Sequence, residues 1–340
     1  MSNLNKSNDT NICGLYNLGN TCYMNSILQI LFHTYELQDV LSKPAIDKLE
    51  DTDHNKLLKE LSYLLEETQK SNESISPQAF LQEFQAYAVK HKLDNFVGFD
   101  QNDASEFLII LMDYLYECLG RPVNMNVRGS VVNKKDALAK ICYEKMKEMY
   151  TNKYSEILKI FYGFSITEIH TIRLKKCIVQ TPQPFFMLNL PIPNNKKEVT
   201  IMDCLNEYLE NELIDYTYNG ANEECSKTTK FYNFPEILII SFNRFNHLNR
   251  KNHKIIYFPF ENLDLNPFVS GYNTNNEFTY NLYGICNHSG SSLGGHYTSM
   301  AKTANDKWYN FNDRLVSPIQ TNVHNLYEKA YVLFYRKKKQ

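Results

Sequence analysis

The sequence predicts an α+β protein, helical in its first half and rich in antiparallel strands in its second. Three observations carry that expectation. Apolar residues recur at three and four positions over roughly residues 12–160, the period of one buried helical face. From about 161 to 336 they alternate, or form short continuous runs of β-branched and aromatic residues. No repeat or low-complexity linker interrupts the 340 residues, so a short flexible tail (1–11) should precede a single domain over 12–336.

The elements follow in order. In "GLYNLGNTCYMNSILQILFHT", Met24, Ile27, Leu28, Leu31 and Tyr35 mark a helix that begins at or near Cys22, just after a polar turn. Leu57, Leu58, Leu61, Leu64 and Leu65 mark a second helix. "SISPQAFLQEFQAYAVKH" opens a third, with Ser76 before Pro77 at its first turn. "DQNDASEFLIILMDYLYECLG" is a fourth, burying Phe107, Leu108, Leu111, Tyr114, Leu115 and Cys118 and stopped by Gly120 and Pro122. A charged stretch from Lys134 to Ile160 has a weaker stripe and should be a surface helix. The strands come from "FFMLNLPI", "EILIISF", "KIIYFPF", "FTYNLYGICNH", "HYTSMAKT" and "KAYVLFYRK", with one helix near Thr200 to Leu213 among them.

Composition narrows the function. A net charge of −2 offers no global basic field for nucleic acid, and the terminal "RKKKQ" reads as a solvated tail. The polar start "MSNLNKSNDTN" lacks a secretory apolar segment, and no 18-residue apolar run occurs. Eight dispersed cysteines without a C-x-x-C pair fit reduced thiols in the cytoplasm or nucleus and give no zinc signature. No cofactor, membrane or nucleic acid is expected.

A cysteine at a helix start meets unpaired amides and the positive end of the macrodipole, which favour a thiolate. To act as a nucleophile, Cys22 also needs a base. "SGSSLGGHYTSM" sets His296 directly after two glycines at a strand start, and His288 in "CNHSG" is the rival. "KWYNFNDRLV" supplies Asn312 and Asp313, either of which could accept the imidazole Nδ1–H and leave Nε2 toward the sulfur.

Together these segments resemble the ubiquitin-specific proteases, cysteine deubiquitinases with a papain-like core of thumb, palm and fingers. "GLYNLGNTCYMNSILQILF" is similar to that family's cysteine box, and "GGHYTSMAK" with "WYNFNDRLV" to its histidine box. "DQNDASEFL" and "FPEILIISFNRF" match two intervening segments, so the resemblance runs from about residue 12 to 336. It implies Cys22 as nucleophile, His296 as general base, Asn312 as third triad member with Asp313 auxiliary, and Asn17 completing an oxyanion hole with the Cys22 amide. It also implies a monomer acting on ubiquitin and ubiquitinated proteins.

Ubiquitin ends in a basic tail closing with two glycines. The resemblance therefore implies substrate contacts at Gln101, Asp103, Glu106, Gly295 and Tyr297, with Asp103 and Glu106 also able to cap their helix. The loop "SGSSLGG" would act as a lid. Many family members hold zinc between two C-x-x-C pairs in the fingers. Here those places read "EIHTIRL", with His170 and Arg173, and "NGANEECSK", with Cys225 alone, so fingers without metal are expected. A catalytically inactive ubiquitin-binding protein, or a cysteine hydrolase acting on a ubiquitin-like modifier, is the alternative function.

Overall fold

The computed structural model describes residues 11–42, 46–49, 52–173, 175–246, 248, 250–273, 275–291, 294–319 and 326–339. The expected tail before residue 11, the centre of the "SGSSLGG" loop at Ser292 and Leu293, and Gln340 lie outside them. Helices α1 (Cys22–Phe32), α2 (Tyr35–Val40), α3 (Lys56–Lys70), α4 (Gln78–Lys90), α5 (Ala104–Leu119), α6 (Lys134–Asn152) and α7 (Glu156–Phe161) fill the first half. Then come β1 (Gly163–Thr171), β2 (Cys177–Phe185), β3 (Met187–Leu190), β4 (Val199–Thr200), α8 (Ile201–Tyr208), β5 (Glu212–Tyr218), β6 (Ala221–Asn233) and β7 (Ile237–Phe242). The chain closes with β8 (Ile256–Tyr257), β9 (Leu263–Asp264), β10 (Thr279–Gly290), β11 (Gly295–Lys302), β12 (Trp308–Asn312), β13 (Leu315–Pro318) and β14 (Ala330–Lys337). The change from helix to strand falls at Tyr162, as the apolar period indicates, while two compact units cut across it.

The first unit takes residues up to Leu119, Arg244–His253 and Leu282–Phe334. Every residue of α1 is buried, as the nearly continuous apolar run CYMNSILQILF requires, and the helix packs on β11 and on α5. Its strands neighbour one another in the order β13, β12, β11, β10, β14. Helices α3 and α4 pack together, and α4 begins one residue after Pro77, which itself occupies the cap position that Ser76 was expected to prepare.

The second unit takes Gly120–Asn243, Lys254–Asn281 and Tyr335–Gln340. An antiparallel sheet of order β2, β1, β6, β5 is its largest strand assembly, while β3 with β7 and β4 with β8 run parallel. Ala139, Cys142 and Met146 of α6 close over Phe164, Ile166 and Tyr232, which explains the weak stripe of that helix. The charged stretch breaks at Lys153 to Ser155 into α6 and α7, and α6 opens on a reciprocal cap between Asn133 and Asp136.

Candidate active site

The turn before α1 is shaped by Asn17, whose side-chain oxygen accepts the amides of Gly19 and Thr21, each at 3.1 Å. Leu18 N–H donates to Thr21 Oγ1 at 2.9 Å, so the chain reaches Cys22 already bent into the helix. Cys22 is the first residue of α1 and 4% exposed. Backbone amides of Tyr297, Tyr23 and Cys22 itself reach its sulfur. Burial and, less strongly, the Asp313 carboxylate nevertheless outweigh those amides and push the thiol up. The easier thiolate expected from the helix start is thus not delivered by the helix alone. Other cysteines are driven further, Cys13 to about 11 and both Cys142 and Cys286 to about 12, by burial.

His296 lies on β11 beside Tyr297, the residue whose amide reaches the Cys22 sulfur, so nucleophile and base candidate come together. Its Nε2 lies 2.6 Å from Asn312 Oδ1 and 4.0 Å from Asp313 Oδ2. This reverses the expected ring assignment. Nε2 serves the orienting amide and Nδ1 is the nitrogen left for the sulfur, because Asn312 ends the neighbouring strand β12 and meets the far edge of the ring.

Asp313 has another task in this geometry. Its Oδ1 accepts Asn25 Nδ2 at 2.8 Å, its Oδ2 accepts Asn17 Nδ2 at 3.0 Å, and its backbone oxygen accepts Leu15 N–H at 3.0 Å. It thereby ties the turn before Cys22, helix α1 and the β12–β13 turn, where its own φ is +50°. Asn17 Nδ2 spends one hydrogen on this bond and keeps a second for a substrate oxygen.

The rival base is removed by its surroundings. His288 is 3% exposed, its ring centroid 4.6 Å from Tyr297, 5.6 Å from Phe245 and 5.9 Å from Tyr331. Burial, helped by the nearby Lys251 charge, pulls its pKa down to about 4 and keeps it neutral.

Of the expected substrate contacts, Gln101 Oε1 accepts the Gly295 amide at 2.7 Å, joining the segment before α5 to the start of β11. Gly295 has no room for a side chain: a Cβ there would sit 2.2 Å from His288 Nε2. Asp103 is largely occupied. Its Oδ1 accepts the amides of Ser105 and Glu106 at 2.7 and 3.1 Å, and its Oδ2 accepts the hydroxyls of Tyr331 and Tyr297 at 2.6 and 3.2 Å. Capping is realised, and two tyrosines hold the oxygen that was expected to face a basic tail. Glu106 is exposed, and burial, then the neighbouring Asp103, raises its carboxyl. Asn25 and Tyr331 join the site beyond the residues expected from the sequence. Asn25 could have been found as a polar residue three positions past Cys22 on an otherwise apolar helix.

The donors named for the fingers do not fit zinc. His170 Nε2 is 3.1 Å from Glu168 Oε2, and Cys225 is fully buried. Among the described residues no three His, Cys, Asp or Glu side chains group as ligands would. No described helix is long and apolar enough to cross a membrane.

A family model described as ubiquitin carboxyl-terminal hydrolase matches residues 13–335. The chain is 33% identical over 353 residues to ubiquitin carboxyl-terminal hydrolase 2 of Bos taurus, covering 98% of itself and 56% of that protein. It is 30% identical to ubiquitin carboxyl-terminal hydrolase Usp2 of Drosophila melanogaster, covering 96% of itself and 35% of the relative. The chain thus spans about half or less of the length of these two relatives. A solved structure described as the SAGA Ubp8/Sgf11/Sus1/Sgf73 DUB module bound to ubiquitin aldehyde shares the fold, with a TM-score of 0.75 at 24% identity over 98% of this chain and 71% of that one. With the family model covering nearly all of it, the chain belongs to the ubiquitin carboxyl-terminal hydrolase family.

Proposed function

We propose that the chain is a thiol-dependent deubiquitinase that hydrolyses peptide or isopeptide bonds after the C-terminal glycine of ubiquitin, as an intracellular, metal-free monomer. The observation that carries the reading is the 2.6 Å contact between His296 Nε2 and Asn312 Oδ1 beside a buried Cys22 at a helix start. Asn312 holds the ring, and His296 Nδ1 takes the Cys22 proton. Burial opposes an isolated thiolate, so the thiolate forms as an ion pair with the imidazolium.

The sulfur attacks the glycine carbonyl carbon, and the oxyanion receives the Cys22 N–H and the second Asn17 Nδ2 hydrogen. Such a donor contributes on the order of 10²–10³ in rate. The imidazolium then protonates the departing amine, leaving a thioester. Water, deprotonated by His296, attacks that thioester and releases the carboxylate and the thiol. Asp313 keeps Asn17 aimed through their 3.0 Å hydrogen bond. Gln101, Gly295 and Tyr297 border the channel for the glycine tail, with the exposed Glu106 nearer solvent to meet its basic residues.

A ubiquitin probe with an electrophile at its C-terminus should label the wild type and not Cys22→Ala. Binding without labelling would favour an inactive ubiquitin-binding protein, and labelling only by a ubiquitin-like probe would favour a different modifier.

A further inference from the structure

We propose that Tyr16 and Leu315 form the docking surface for the leaving-group side of the substrate, the polypeptide segment that carries the modified lysine. The inference rests on the hydrolase reading above and adds a specificity determinant to it. Both side chains are exposed, Tyr16 by 42% and Leu315 by 63%. Single exposed apolar residues are ordinary on any surface. These two are set apart by where they stand and how firmly they are held.

Tyr16 immediately precedes Asn17, the oxyanion candidate, and Leu315 pairs across the β12–β13 turn with Asn312, which holds His296. The backbone between them is a rigid ledge. Ile75 N–H donates to Gly14 O and Tyr16 N–H to Ile75 O, both at 2.9 Å, while Leu15 N–H donates to Asp313 O at 3.0 Å. Ser74 Oγ donates to Arg314 O at 2.9 Å, and a Cβ on Gly14 would lie 2.3 Å from that same oxygen, so the two backbone segments touch directly. Asn25 Nδ2 ties the Tyr16 carbonyl to α1 at 3.3 Å.

The strand order supplies the direction. His296 stands on β11, with β10 and β14 on one side and β12 and β13 on the other. Gly295 and Tyr297, proposed to border the glycine tail, pair with Gly290 and His288 of β10, while the pairing of β11 with β12 begins only at Ser299. A substrate lying across Cys22 with its tail on that flank must send its amine half over the β12–β13 flank, where Tyr16, Arg314 and Leu315 are exposed. Two exposed apolar residues, with the exposed Arg314 directly before Leu315 in the chain, fit a lysine flanked by apolar and acidic residues, and not one flanked by glycine and serine.

The test uses three ubiquitin substrates: a fluorogenic C-terminal amide, an isopeptide to a peptide lysine flanked by leucine and aspartate, and an isopeptide to a lysine flanked by glycine and serine. The wild type should cleave the leucine/aspartate conjugate with the higher kcat/KM. The double variant Tyr16→Ser/Leu315→Ser should lose that preference by about tenfold, the effect of truncating contact anchors, while fluorogenic turnover stays within about twofold. If the variant loses all three substrates equally, or none, the docking surface is refuted and the hydrolase reading stands. A wild type that cleaves none of them overturns both.

Discussion

Asp313 in the first unit and Glu168 in the second each gather three polar side chains, and the two gatherings differ in one respect. The partners of Asp313 are two amides, Asn25 at 2.8 Å and Asn17 at 3.0 Å, with the His296 imidazole at 4.0 Å. Those of Glu168 are the Lys230 ammonium at 2.7 Å, Gln180 at 2.9 Å and His170 at 3.1 Å. Glu168 thus has a permanent counter-charge bracing three neighbouring strands, β2, β1 and β6. Asp313 faces no permanent cation: its nearest titratable neighbour is the His296 imidazole, which in the proposed mechanism becomes charged when it takes the Cys22 proton. Under the proposed mechanism, the same residue chemistry is structural where the counter-charge is fixed and available to a reaction where it is transient.

The widest separation between the two regions should come from Cys22→Ser. It removes the proposed thiolate nucleophile while nearly keeping the side-chain shape. Turnover of a ubiquitin amide should vanish and ubiquitin binding should survive, which paired kinetic and binding assays would show. Loss of both together would mean that Cys22 is a packing residue.

The next effect separates neighbours within the first region. Asn312→Ala should lower kcat by roughly 10²–10³, the range for a base that loses its orientation, and Asn312→Asp should keep most activity. Asp313→Ala should cost less, about 10–10², because it acts by aiming Asn17 and the second donor, the Cys22 amide, remains. Steady-state kinetics on both variants decide the ranking. A larger loss for Asp313→Ala in a protein of unchanged Tm would make Asp313 the principal partner of His296.

How far the sequence could reach follows from the same contrast. Helix α1 and strand β7 were legible because burial writes a period or a continuous run into them: all eleven residues of α1 and all six of β7 are buried. Strands β2 and β5 hold no fully buried residue, and β6 mixes polar with aromatic residues, so the second unit's sheet left little pattern to read. Cys22, His296 and Asn312 could be named from their boxes, but the choice of ring nitrogen depends on which edge of the imidazole the next strand meets.

Asp103 shows the limit most clearly. Its spacing allowed either a cap or a tail contact, and only the fold brings Tyr297 and Tyr331 to it. Asp103→Asn should therefore lower Tm as well as kcat/KM, by about 1–2 kcal/mol of stability, since the replacement leaves buried hydroxyls with a poorer acceptor. Unchanged melting with weaker ubiquitin binding would return Asp103 to the tail-contact role.

The smallest effect on activity should come from Glu168→Gln, and it tests the other half of the comparison. Burial works to raise the Glu168 carboxyl, but hydrogen bonds from Lys230, Gln180 and His170 outweigh it and hold the group below the usual carboxylate range. A group whose folded pKa is depressed stabilises the fold above its unfolded pKa, and that contribution fades as pH falls through the folded value. Because Lys230 is half exposed, its share is screened, and the substitution should cost about 1 kcal/mol at neutral pH. Ubiquitin-amide turnover should remain within about twofold, since Glu168 acts on the sheet and not on the reacting atoms. Thermal melts of the wild type and Glu168→Gln should differ at pH 7 and converge as the solution is acidified through the carboxylate range. A gap that persists unchanged in acid would mean that shape rather than charge holds these strands, and the contrast with Asp313 would lose its physical basis.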